Sequence, residues 1–111
     1  MNVYDTVNKL AKEIKESEEY LNFKAAKQAI DLEPDYKIKV SEFEKARYEE
    51  QLNSIQNGKT DENKMNDIQN LYKELVEIPE IKSYFDAEFK FNIMLGDINK
   101  TISEAVKDII S

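Results

Sequence analysis

The chain has 111 residues, 35% of them charged, with a formal net charge of -7, no Cys and no His. An acid excess of this size argues against direct contact with nucleic acid or an anionic membrane, because phosphate binding needs clustered Lys and Arg that release counterions. The missing residue types exclude disulfides, thiol catalysis, iron-sulfur ligation through Cys and the commonest metal ligand and general base.

Two Gly and two Pro are too few for the turns a sheet protein spends along its length, so the expected fold is all-α. Length points to a single helical domain spanning residues 1–111. No signal peptide and no apolar run of about 18 residues is visible, which places the protein in the cytoplasm.

In chain order, Val3, Val7, Leu10, Ala11 and Ile14 recur at helical spacing behind Asn2 or Asp5 as candidate N-caps, giving a first helix to about Lys15. Ser17 followed by Glu18 and Glu19 is a start signal for a second helix, from Glu18 to Leu32. That helix has two apolar sides, Leu21, Ala25 and Leu32 on one and Phe23, Ala26 and Ile30 on the other. Either both sides pack within the chain, or one meets another protein chain.

Glu33-Pro34 ends the second helix, since the residue before proline is pushed out of the α region. The third, from Pro34 to Gln56, carries Tyr36, Val40 and Phe43 on one stripe and Tyr48, Leu52 and Ile55 on a displaced one, a sign that its packing partner changes midway. Asn57-Gly58 is a helix stop with Gly58 as the left-handed residue, and Thr60, Asp61 and Glu62 restart the chain, making the tip of an antiparallel hairpin. A fourth helix follows through Met65, Ile68, Leu71, Tyr72, Leu75 and Val76, stopping at Ile78-Pro79.

From Pro79 to Ile110 one long helix organises the whole: Ile81, Tyr84, Phe85, Phe91, Met94, Leu95 and Ile98, then Ile102, Ala105, Val106 and Ile109, form one broad apolar band. At about 1.5 Å per residue it runs about 45 Å, so the other four helices must pack along it or leave surface for a second copy. The expected architecture is a hairpin or bundle of about five helices with a long C-terminal helix, dimerising.

Motifs with chemistry are weak. A ferritin-like site needs Glu-x-x-His, which a chain without His lacks. Asp31, Glu33, Asp35 and Glu42 echo a calcium loop, but Tyr36 stands where the sharp turn needs Gly and Pro34 interrupts it. Asn99-Lys100-Thr101 matches a glycosylation acceptor by chance inside a helix, and Ser41-x-x-Glu44 mimics a capping box in a helix interior. No catalytic, cofactor-binding or metal site and no small-molecule substrate is expected.

Two features of the last helix stand out. Phe89 and Ile93 continue a ridge from Phe85 onto a side otherwise formed by Lys82, Asp86, Lys90, Asp97 and Lys100. A Phe and Ile pair on a charged face marks a subunit contact, with intrachain packing and plain exposure as the alternatives. Glu88, Asn92 and Asn99 intrude at the edge of the apolar band. They either send their heads to solvent or hydrogen-bond across a helix interface and fix its register.

The run from Asn2 to Tyr20, the Asn57-Gly58 tip, Leu71-Tyr72-Lys73-Glu74-Leu75, the stretch from Ile78 to Phe91 containing Ala87-Glu88-Phe89, and Gly96-Asp97-Ile98-Asn99-Lys100-Thr101-Ile102 resemble the YlbF/YmcA family of small bacterial helical proteins, including its YheA-like branch. The resemblance covers nearly the whole chain. It implies a cytoplasmic, oligomeric regulator of low-GC Gram-positive bacteria, linked to competence, sporulation and biofilm formation. Its implied partners are itself, other family members or a complex that modulates an endoribonuclease and so RNA processing. The members of that complex are associated with iron-sulfur clusters held through Cys; this chain has none, so cluster binding does not carry over. Set beside a non-enzymatic adaptor are two rivals, a homo-oligomeric structural protein without a regulatory partner and an enzyme using only carboxylates and tyrosines.

Overall fold

The structure, a computed structural model, describes residues 2–110. Five helices follow one another: α1 (Val3–Glu16), α2 (Glu18–Asp31), α3 (Pro34–Asn57), α4 (Glu62–Leu75) and α5 (Pro79–Ile110). No strand occurs among the described residues.

The helix ends follow local chemistry. Asn2 caps α1, its side-chain oxygen accepting from the Tyr4 N–H at 2.9 Å. Ser17 closes α1 and opens α2 at once: its hydroxyl donates to the Ile14 carbonyl at 2.6 Å and accepts from the Tyr20 N–H at 3.1 Å. Glu33 is extended (φ -112°, ψ 102°) ahead of Pro34, which takes the first turn of α3. Gly58 ends that helix in the left-handed region at φ 73°, and Asp61 starts α4 by accepting from the N–H groups of Asn63 and Lys64.

Two ends differ from expectation. Leu32 caps α2 instead of belonging to it, because the chain must already be turning toward the extended Glu33. α4 stops at Leu75, three residues short of Ile78. There the ladder tightens, with the Glu77 N–H bonding the Glu74 carbonyl and the Ile78 N–H the Leu75 carbonyl. That shorter turn lets Ile78 leave the helix before Pro79, and the Ile78 carbonyl then accepts from the Ile81 and Lys82 N–H groups.

The core gathers at the first turns of α5. Ile81, Tyr84 and Phe85 are buried with Ile30 of α2, Val40 and Phe43 of α3 and Leu75 of α4. Phe85 is its aromatic hub, with ring centroids 5.3 Å from Phe43, 5.3 Å from Tyr72 and 5.5 Å from Tyr84. Tyr20 meets Phe91, while Phe23 meets both Phe91 and Tyr84, so α2 runs antiparallel along the first half of α5.

At the other end of α3, buried Glu50 accepts from the Asp61 N–H at 2.8 Å. One carboxylate from α3 thus holds the start of α4 and fixes the hairpin tip, where helix amides favour negative charge. The whole measures 50 × 37 × 16 Å. Its longest dimension matches the roughly 48 Å expected of a 32-residue helix.

Candidate interaction surface

Where α3 crosses α5, four side chains form a polar lock beside the core. The Tyr84 hydroxyl donates to Glu44 Oε1 at 2.9 Å. Arg47 sits 5.3 Å from the centroid of the Phe43 ring and 3.7 Å from Glu88 Oε1. Burial and the bond to Glu44 push the Tyr84 hydroxyl well above the ordinary tyrosine range. Burial raises the Glu88 carboxyl, partly opposed by Arg47 and reinforced by Glu44. The Tyr84 hydroxyl therefore stays protonated at neutral pH, and its bond to Glu44 and the Arg47–Glu88 pair tie α3 to α5.

Of the residues the sequence marks as a contact ridge, Phe85 is 5% exposed. Its ring is consumed by Phe43, Tyr72 and Tyr84, so it belongs to the intrachain core and not to an outward contact. Phe89 and Ile93 do face outward, at 66% and 49% exposure. Ile93 also lines an open groove of about 600 Å³ between α2 and α5, beside Ala26, Ala87 and Lys90. Glu88 is engaged by Arg47 across the α3–α5 crossing. Asn92 and Asn99 are exposed.

The sequence reading missed Arg47, Glu44 and Glu50. A signal for the first existed: Arg47 is the one arginine among sixteen basic residues, and a planar guanidinium suits a half-buried carboxylate beside an aromatic face better than a lysine does. Glu50 carries no such mark, since its partner is a backbone N–H eleven residues away.

The larger feature is uncovered apolar surface. No residue of α1 is buried, and Val3, Tyr4 and Val7 stand open. Every described residue from 99 to 110 is exposed, including Ile102, Val106 and Ile109. The second stripe of α3, Tyr48, Leu52 and Ile55, and the Leu21 and Leu32 side of α2 are exposed as well. The accessible surface of 8885 Å² compares with about 6,300 Å² for a compact monomer of this mass. The radius of gyration of 17.6 Å compares with about 13 Å. The surplus, about 2,500 Å², is of the size that permanent subunit interfaces bury.

Among the described residues no cluster of three or more acidic side chains is placed to hold a metal ion, and no helix is long and apolar enough to cross a membrane. A family model described as control of competence regulator ComK, YlbF/YmcA, matches residues 3–107. Curated relatives are UPF0342 proteins. That of Desulfitobacterium hafniense (strain Y51) is 30% identical over 110 residues, covering 99% of this chain and 89% of the relative. That of Caldicellulosiruptor saccharolyticus is 35% identical over 105 residues, covering 95% and 88%; that of Clostridium novyi (strain NT) is 33% identical over 108 residues, covering 97% and 95%. The chain therefore belongs to the YlbF/YmcA family.

Proposed function

We propose that this protein is a self-associating helical adaptor of the cytoplasm, one domain without enzymatic activity, that regulates by protein–protein contact. The observation that carries this reading is the uncovered apolar surface of α1 and the end of α5, too extensive for a compact monomer of 13.0 kDa. Support comes also from the residue types, since the chain offers neither His nor Cys, and from a family whose description is control of a competence regulator. Within that family the reading extends to competence, sporulation and biofilm formation, reached through contacts that modulate RNA processing. Phe89 and Ile93 form the outward anchor pair of this adaptor, flanked by Asn92 and Asn99.

Two measurements test it together. Light scattering at micromolar concentration should give a mass of at least two chains, and affinity purification from native cytosol should recover the protein with a second protein. A mass near 13.0 kDa overturns self-association, and recovery of nothing beyond the bait under gentle conditions overturns the adaptor role.

A further inference from the structure

Two apolar strips of the molecule are largely uncovered, half-buried only at Leu10, Ile14 and Ile98, and they match. On α1 the strip runs from Val3 through Val7 and Leu10 to Ile14; on α5 it runs from Ile98 through Ile102 and Val106 to Ile109. Each spans eleven residue steps, about 16 Å of helix. They also leave the core at the same end. α1 departs at Ser17, whose extended backbone (φ -69°, ψ 151°) breaks it from α2, and there Tyr20 lies against Phe91, beyond which α5 continues to Ile110. Within one chain neither strip covers the other, because Val3 and Val7 on one and Ile102 and Val106 on the other remain exposed.

Charge singles out the same two segments. A chain of net charge -7 repels its own copy. Yet α1 balances Asp5, Glu13 and Glu16 against Lys9, Lys12 and Lys15, and residues 98–110 balance Glu104 and Asp108 against Lys100 and Lys107. α2, α3 and α4 each carry one acid in excess, and α5 before Ile98 carries two. Two copies can therefore approach through α1 and the end of α5 without the repulsion that any other helix brings.

Resting on the self-association reading, we propose that α1 of one protomer lies antiparallel on residues 98–110 of a second copy, and reciprocally, so that a two-fold axis relates two identical helix pairs. The antiparallel sense follows from the charges. With Val3 set against Ile109 and Ile14 against Ile98, it brings Asp5 opposite Lys107 and Lys15 opposite Asp97 with one like pair, Lys12 and Lys100, whereas the parallel sense matches its two unlike pairs with two like ones, Lys12 against Lys107 and Glu13 against Asp108. The surplus of about 2,500 Å² per chain is ample for an exchanged interface of this kind.

Because the chain has no Cys, site-directed disulfides test the pairing cleanly. Val7→Cys and Val106→Cys are made in separate chains, differently tagged and co-expressed, then oxidised mildly. The pairing predicts a covalent dimer containing both tags, formed at least tenfold more efficiently than dimers of either variant alone. Helicity equal to wild type by circular dichroism confirms that both exposed positions tolerate the change. Efficient cross-linking of Val106→Cys with itself means that the α5 ends pair with each other and overturns the proposal. No mixed cross-link in a sample whose scattering mass is dimeric overturns it too, while self-association stands. A monomeric mass removes both.

Discussion

Between Ile81 and Phe91, α5 is roofed by α2 and α3 and carries the three residues of the helix that are buried, Ile81, Tyr84 and Phe85. Between Ile102 and Ile109 the apolar residues recur at the same spacing and lie exposed. The two halves differ little in pattern and greatly in what covers them. Periodicity states which face of a helix must leave water; it does not state whether the cover comes from the same chain. In this protein the first half of α5 builds the core and the second half is surplus to it.

The sharpest way to break that contrast is to truncate one residue in each half. Phe85→Ala removes a ring that touches Phe43, Tyr72 and Tyr84 and should lower the unfolding free energy by about 3 to 5 kcal/mol in urea denaturation. Val106→Ala, at low protein concentration where chains are apart, should change it by no more than about 0.5 kcal/mol. Comparable losses at the two positions would show that the end of α5 is packed within the chain.

Phe89 and Ile93 sharpen the contrast at the boundary between the halves. Replacing both with Ser should leave helicity and monomer stability near wild type, because both side chains already meet water. If they anchor a partner, association should weaken by about 2 kcal/mol or more, close to thirtyfold in the dissociation constant. Sedimentation and thermal melting on the double variant decide: a large fall in monomer stability would assign them to intrachain packing, and no change in either would mean mere exposure.

A smaller effect is expected at the far end of the α3–α4 hairpin. Glu50→Ala strands the Asp61 N–H and removes the carboxylate that holds the start of α4. The cost should be about 1 to 2 kcal/mol, with faster amide exchange confined to the residues around Asp61 and Met65. Uniformly faster exchange over α5 would mean that the tip and the core are one cooperative unit.

Much of this organisation was legible in the residues. Ser17, the Glu33-Pro34 step, Gly58 and Pro79 act through their own backbone chemistry, so each helix boundary they set could be placed to within a few residues. The core half of α5 was legible for the same reason, as a period that local geometry converts into a face. Phe85 was misassigned to an outward ridge because residues 85, 89 and 93 share a helix side, and only the arrival of Phe43 and Tyr72 from α3 and α4 divides that side into a covered and an open part. Glu50 and the Glu44–Tyr84 bond were illegible, since each joins residues eleven or forty positions apart. Whether Asn92, Asn99 and the α1 strip have partners depends on a second molecule, about which one chain's periodicity is silent.

The smallest expected effect concerns pH at the α3–α5 crossing. Glu88 is raised in the folded protein chiefly by burial, with Arg47 lowering it and Glu44 raising it; Tyr84, the other group facing them, stays protonated through neutral pH. A carboxyl raised on folding binds its proton more tightly in the native state than in the unfolded chain. Its contribution to stability is therefore fully present below the unfolded glutamate value, about 4.3, and is lost as pH rises through the folded value. Glu88→Gln keeps the shape and removes the titration. The stability of wild type minus that of Glu88→Gln, measured at one protein concentration, should accordingly fall as pH increases through this window and be flat above it. Removing Arg47 as well should leave the pH dependence of Glu88→Gln unchanged here, whereas Arg47→Met alone should extend the wild-type window upward, because the one group that lowers the carboxyl is gone. A carboxyl-carbon NMR titration of Glu88 with its midpoint below the ordinary value would reverse the sign of the expected slope. In that case Arg47 would outweigh burial, and the crossing would be an ion pair held on the surface instead of a lock within the chain.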